Sequence, residues 1–434
     1  MSNMKDSRVE WIGRIPKSWK VLPIKSGFLY QKIVAGDSHE KYPRLSLAKA
    51  GVLERPKYDG NGQSPANYST YQIVPEGELV FNLMGLEQDS DYRRVGIPPK
   101  DGLLSSGYVR LDHNPDVVFN RFALYYFLDL EARRIFNSYG TGIRSTLNGS
   151  QLVKIPMIFP PISEQQRIAK FLDEKTALIE DIITDTKRTI EELKSYKQSL
   201  ILEIVTKGIN KNVNLVSSGI EWIGEIPKGW KTIPLKLVFN EIGSGTTPDT
   251  SQSEFYGDKI YWIQSGDLYQ KKYVEDTKKK ISDKGLNSSS ALKIYKSPFI
   301  AIAMYGASIG NVSISKIDSC VNQAVAVLSN PILLELEFAY YCLFISKEFL
   351  ILESKGGTQP NISQEILKNW KIPLPTVDEQ KMIIEILDKK TNQIDMIIKE
   401  KENLISEYEN YKKSMIYEYV TGKKRVDIDE GDMN

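Results

Sequence analysis

The sequence predicts an α+β fold built twice: two mostly-β heads, each followed by a long helix, with the two helices packed antiparallel as a coiled coil in a pseudo-twofold arrangement. Three observations carry this prediction. The stretch Glu164 to Val205 returns without a gap as Glu379 to Val420, an offset of 215. The stretch EWIGRIPKSWK from Glu10 returns as EWIGEIPKGWK from Glu221, an offset of 211. Between these blocks lie short alternating or aromatic runs broken by Gly, Pro, Asn and Asp, the signature of strands and turns. A tandem unit of head plus helix follows. The expected divisions are head one at 1–160, the first helix at 161–207, a linker at 208–220, head two at 221–375, the second helix at 376–420 and a tail at 421–434.

Length and composition agree with this plan. A chain of 434 residues exceeds what one compact core holds, so two or more domains are expected. Its 41% hydrophobic and 26% charged residues are those of a globular protein. No run of 18 apolar residues and no apolar leader are present, so neither a membrane span nor a secretory signal is expected and the default location is the cytoplasm. Cys320 and Cys342 form no paired spacing and are expected as reduced, partly buried thiols. With only His39 and His113, a histidine-rich metal site is excluded. The net charge of +2 means that any binding of nucleic acid must use localised positive charge. The helix repeats are acid-rich while the heads carry the basic clusters, which permits it.

The first repeated arm contains Trp11 and Trp19, the second Trp222 and Trp230; a Gly and a Pro between the tryptophans fit an extended arm clipped onto its own domain. In head one, Tyr71-Gln72-Ile73-Val74, Glu78-Leu79-Val80-Phe81 and Tyr108-Val109-Arg110-Leu111 read as strands, and Asn120 to Ser138 as one helix. In head two, Ile260 to Ile263, Phe299 to Ile302 and Ala324 to Val327 read as strands, and Leu333 to Lys347 as the helix. A Gly-Thr loop precedes each rod, Gly140 to Asn148 and Gly356 to Ser363. Its small hydroxyls and free backbone suit phosphate contact, or equally a plain connector after a helix. Proline corners at Pro160-Pro161 and Pro375 open the long helices. The linker Lys207 to Ser218 reads as a polar surface connection, and the tail as frayed.

Within the first long helix Leu172, Ile179, Thr186, Leu193 and Leu200 recur every seven residues, with Ile168 and Ile182 on a companion row. Ile383, Ile397, Leu404 and Tyr411 form the row of the second. Lys175 and Lys390 fall on this seam, and Thr186 answers Lys401. Polar seam positions specify register and partner. At ~1.5 Å per residue each helix reaches roughly 60 Å. The two are expected to pack on each other and leave a face for a partner protein.

Catalytic signatures are not found. Asn114-Pro115-Asp116 and Asn330-Pro331-Ile332 lack the second proline of the loop that holds a flipped adenine. No G-x-x-x-x-G-K-[ST] phosphate loop occurs. Pro248-Asp249 with Glu254 lacks the lysine of a nuclease acid pair, and Asp249 reads as a turn cap.

Taken together, E-W-I-G-x-I-P-x-x-W, the Gly-Thr loop and E-Q-x-x-I before a long helix, all present twice, resemble the specificity subunit of type I restriction-modification systems over nearly the whole chain. Head two adds Gly243 to Pro248, Tyr256-Gly257-Asp258, Trp262 to Asp267 and Asn322-Gln323, which are similar to that family's target-recognition domain. Head one departs from it, with Ser106-Gly107-Tyr108 where head two has Asn322-Gln323-Ala324. The resemblance implies that each head is a target-recognition domain reading one half of a bipartite double-stranded DNA site. It also implies that the helices set the spacing and dock methyltransferase subunits, two of them, with restriction subunits joining through the complex. S-adenosylmethionine, ATP and Mg2+ then belong to partner subunits, and this chain is not an enzyme. Half-sites on one face of the duplex lie about one turn, ~34 Å, apart. Groove chemistry selects Arg44, Lys49, Asn82, Arg93, Arg94, Ser105 and Tyr108 in head one, with Thr141 and Arg144 of its loop. In head two it selects Thr246, Thr247, Ser265, Gln270, Lys271, Lys272 and Tyr305, with Thr358 of the loop and the Lys278-Lys279-Lys280 run. Two other classes stay open: an adaptor whose heads bind protein or sugar, and a metal-dependent nuclease.

Overall fold

The computed structural model describes residues 4–55, 68–87, 93–142, 145–269, 271–354 and 360–426. They form two compact units, Met1–Thr186 with Glu402–Asn434, and Lys187–Lys401. Each unit holds one head together with parts of both long helices, Ile162–Lys207 and Val377–Val420.

Head one carries a four-stranded antiparallel sheet in the order Phe28–Gln31, Val109–His113, Leu79–Phe81, Val95–Gly96. A second sheet runs Gly51–Arg55, Arg44–Ala48, Gly102–Leu104, Gln72–Val74, with the central pair parallel. Helix Asn120–Ala132 buries Phe122, Tyr126, Phe127 and Leu130 against the first sheet. It stops short of the expected Ser138 because Arg134 turns left-handed, φ 57°, and a 3-10 turn, Ile135–Tyr139, follows. Arm and head close through Lys20–Pro23 paired with Pro156–Phe159.

Head two repeats the plan. Its main sheet runs Phe239–Ser244, Val325–Pro331, Phe299–Ala303, Val312–Ser315, Tyr273–Val274. The second sheet runs Tyr256–Gly257, Lys280–Ile281, Ile260–Ile263, Ser319–Val321, again with one parallel pair, Tyr261 opposite Ser319. The expected helix from Leu333 begins at Leu336, because Leu333 is left-handed at φ 55°, and splits at Ser346 into Leu336–Ile345 and Lys347–Glu353. The linker is more than a connection: Leu215–Ser217 pairs with Glu225–Pro227 as Met4–Asp6 pairs with Arg14–Pro16.

The arms clip onto their own units as expected. Trp19 is fully buried and its Nε1 donates to Glu164 at 2.8 Å; Trp230 Nε1 donates to Glu379 at 3.3 Å.

Within each unit the long helices are antiparallel, since contact partners fall along one helix as they climb along the other. In the first unit the Phe171 and Tyr419 rings lie 4.5 Å apart, tilted by 39°, and Glu180 pairs with Lys412. In the second Lys197 pairs with Asp395 at 2.6 Å, and Lys207 lines one pocket with Ile383. The seam corrects part of the sequence reading. Leu172, Ile179 and Leu200 are buried, but Ile182 is 39%, Ile397 41%, Leu404 38% and Tyr411 59% exposed, and Lys175 and Lys390 face water. The neighbours Ile183, Thr391 and Ile398 face inward instead. Ile168 lies four residues before Leu172, and the next inward residue, Thr176, lies four after it. Two consecutive steps of four are a stutter, so a row drawn in sevens from Ile168 arrives one residue early. Ile168 packs in the core of head one. The same shift separates Ile383 from the rest of the second helix.

Candidate nucleic-acid interface

The repeated Glu-Gln motif turns out to be an anchor. Gln165 is 1% exposed; its Oε1 accepts the Phe119 N–H at 2.8 Å and its Nε2 donates to Val117 O and Pro160 O. Gln380 does the same for Glu335 N–H, Leu333 O and Pro375 O. Nearby, Tyr125 OH donates to Asp173 at 2.7 Å beside Thr176, and Tyr341 OH donates to Asp388 beside Thr391. Burial pushes the Tyr125 phenol up to about 12 and Tyr341 further up, so both remain donors at neutral pH. These contacts hold each head to a long helix, and they explain why Leu-Asp and Lys-Thr recur in the sequence.

At one end of the main sheet of head two, four loops meet. Gly245 passes so close to Val321 that a Cβ would overlap the Val321 carbonyl oxygen, so only glycine fits there. Tyr295 OH donates to Ser244 O at 2.8 Å, and Gln364 Nε2 donates to Ser244 Oγ at 2.9 Å. Thr247 Oγ1 donates to Gln323 Oε1 at 2.6 Å. Tyr305 bridges to Asn361, and Met304 O accepts from Ile362 N–H at 2.8 Å. Ser265 opens the neighbouring 3-10 turn, tied in through the Asn322 N–H donating to Ile263 O. Thr246, Thr247, Ser265 and Tyr305 are thus brought together, joined by Gln323, which the sequence reading did not select. Asp249 caps its turn as expected, accepting from Ser251 N–H at 2.9 Å.

The lysines of head two divide. Lys271, Lys278 and Lys279 are exposed. Lys280 lies 4.4 Å from the Tyr261 ring and pairs with Asp276 at 3.5 Å. Lys272 is a correction: it pairs with Asp388 and sits 4.7 Å over the Tyr341 ring, fastening head two to the second helix instead of facing solvent. Lys272→Ala should therefore lower the stability of the second unit by about 2 kcal/mol. Duplex affinity of the folded protein should keep its salt slope; denaturation and salt titration check the two halves of that statement.

In head one Lys49 is exposed at the turn after Arg44–Ala48, while Arg44 is half-buried 5.7 Å from the Tyr68 ring. Asn82 and Arg94 are corrections. Both are buried, at 7% and 6% exposure. Arg94 donates from Nη1 to Met84 O at 3.1 Å and from Nη2 to Gly85 O at 3.0 Å, and Asn82 Oδ1 accepts from Met84 N–H at 3.4 Å. These side chains are spent on the backbone of their own turn. Arg93 is half-buried, its N–H donating to Ala48 O. Ser105 and Tyr108 are half-buried, and their carbonyls both accept from Gln72 Nε2. Thr141 is exposed and bridges to Thr146. Arg144, Gln270 and Thr358 lie outside the described residues. Lys32, missed in the sequence, donates to Ser106 O at 3.1 Å beside this turn.

Among the described residues no cluster of three or more His, Cys, Asp or Glu could hold a metal ion, and no helix is long and apolar enough to cross a membrane. Cys320 and Cys342 are buried, and burial pushes the Cys320 thiol up to about 11.

The family described as type I restriction modification DNA specificity domain matches residues 56–192 and 227–407. The chain is 30% identical to the MjaVIII specificity subunit of Methanocaldococcus jannaschii, over 95% of this chain and 94% of that protein. It is 24% identical to the putative MjaX specificity subunit of the same organism, over 96% of each. A solved chain from a type I restriction-modification system superposes with a TM-score of 0.73 at 15% identity, covering 94% of this chain and 99% of that one. The HsdS subunit from Thermoanaerobacter tengcongensis gives 0.54 at 16% identity, covering 94% and 98%. At such identities the structural matches speak to the fold alone.

Proposed function

The chain belongs to the type I restriction modification DNA specificity family, and from that premise we propose that it reads a bipartite, asymmetric double-stranded DNA site and performs no reaction itself. One observation carries the asymmetry. The heads share four antiparallel strands of the main sheet, a second sheet with one parallel pair, and the anchor, yet differ at matching loop positions. Tyr108 N–H donates to Ser105 O as Val325 N–H donates to Asn322 O, which sets Ser105-Ser106 against Asn322-Gln323 and corrects by one residue the pairing of Ser106 with Asn322 drawn from the sequence. One backbone plan displaying different hydrogen-bonding edges selects different base sequences.

Methyltransferase subunits, two of them, would dock on the long helices, and restriction subunits would join through that complex. The exposed apolar row of Ile182, Leu404 and Tyr411 in the first unit, and of Met396 and Ile397 in the second, supports such a surface. S-adenosylmethionine for adenine methylation, and ATP with Mg2+ for cleavage, would be held by those partners.

Selection of random duplexes by the full-length chain should return two unlike half-sites. Lys278→Ala with Lys279→Ala should weaken binding to all sequences and reduce the slope of log K against log salt by about 1.8, two phosphates at ~0.9 each, without altering the motif. Absence of any sequence preference in the unsubstituted chain would leave the adaptor reading standing instead.

A further inference from the structure

We propose that Met84 in head one and Tyr305 in head two occupy one shared reading position, and that Met84 reads the C5-methyl group of a thymine in head one's half of the site. This rests on the DNA-reading function above. Nothing in the sequence aligns the two residues, but the backbone does. Phe81 stands opposite Val109 as Ile302 stands opposite Ala326, so the strands leading to both residues are in the same register. Leu83 O then accepts the Leu147 N–H at 3.1 Å, and Met304 O accepts the Ile362 N–H at 2.8 Å. Met84 and Tyr305 come next. Each is followed by a left-handed glycine, Gly85 at φ 59° and Gly306 at φ 80°, which turns the chain back and leaves the preceding side chain displayed.

The display in head one is rigid. The buried Arg94 guanidinium holds the carbonyls of Met84 and Gly85 together. The methionine lies against Gly107, where a Cβ would come within 3.0 Å of both Met84 Sδ and Cε. It nonetheless stays 42% exposed, in a setting of Ser105, Ser106 and Lys32. A long, polarizable, unbranched side chain left 42% exposed on a turn held by Arg94 is suited to an apolar partner from outside the head. In the major groove the thymine methyl is the one apolar group on a base edge, and apolar side chains discriminate it. Lys32 beside it supplies charge for the adjoining phosphate. Tyr305 presents a phenol at the same place, so head two reads a hydrogen-bonding edge where head one reads a methyl.

The test is selection of random duplexes by the full-length chain and by Met84→Ala, Met84→Leu and Met84→Tyr, with sequencing of the bound pool. Met84→Ala should flatten the preference for one A·T pair in one half-site by about fivefold or more. Met84→Leu should retain that preference, Met84→Tyr should change the base chosen there, and the other half-site should not move. A motif unchanged in Met84→Ala and Met84→Tyr at undiminished affinity overturns the proposal. So does an unchanged motif accompanied by loss of a partner subunit, which would make Met84 a protein contact. An unsubstituted chain with no motif at all overturns the DNA-reading function as well, and the two failures are thereby told apart.

Discussion

Gln380→Ala should destabilise the second unit by about 3 kcal/mol or more. Glu335 is the N-cap of helix Leu336–Ile345, and its side chain makes no cap hydrogen bond. The free N–H of Glu335 is satisfied at 2.7 Å by Gln380 Oε1, from a different helix. This is half of a capping box supplied from a distance. The Gln380 amide also secures Pro375 O, at the corner that opens the second long helix, and Leu333 O. Leu333 is a left-handed leucine, a conformation that persists only where its surroundings enforce it. Gln380 is fully buried, so truncation orphans one donor and two acceptors at about 1–3 kcal/mol each where water cannot replace the amide, and it leaves a cavity. Gln165→Ala should do the same to helix Asn120–Ala132 through Phe119, whose N–H it accepts. Hydrogen exchange on each helix provides the check. Loss of protection confined to the head whose glutamine was changed is expected, and a change below 1 kcal/mol in both would remove the anchor as an explanation of the repeated motif.

That motif shows what was legible in the sequence and what was not. The tandem plan, the strand runs at Ile260–Ile263 and Phe299–Ala303, the clipped tryptophan arms and the long helices follow from composition and period, which are local. The seam was legible where it ran in sevens from Leu172, and a row drawn from Ile168 failed because the steps of four on either side of Leu172 shift the inward face by one residue. The interface was harder. Arg94 and Lys272 carry the charge that groove reading seeks, yet each sits inside its unit beside carbonyls or a carboxylate that only tertiary folding assembles. Met84 and Gln323 carry no charge and match no electrostatic pattern. Their candidacy depends on which loops meet, information that a single sequence does not hold.

Arg94→Ala should cost the first unit about 3–5 kcal/mol, and the loss should depend on pH in a direction that identifies its cause. The substitution strips the Met84 and Gly85 carbonyls of their donor and removes one of the two cations, Arg94 and Arg93, that favour the charged form of half-buried Glu131. Burial already raises the Glu131 carboxyl above its ordinary value of 4.5; the Arg94 amide and charge oppose the rise. A carboxyl raised in the folded state binds its proton more tightly there than when unfolded. Its stabilising contribution is therefore present below about 4.5 and is lost as pH climbs through the folded value. Removing the Arg94 charge raises the folded value further, which widens that window upward and deepens the penalty at neutral pH. The deficit of Arg94→Ala against the unsubstituted chain should consequently be smaller at pH 5 than at pH 7.5, and Arg94→Ala combined with Glu131→Gln should recover part of it at pH 7.5. A deficit that is flat with pH and untouched by Glu131→Gln would assign the whole loss to the orphaned carbonyls of the Met84 turn.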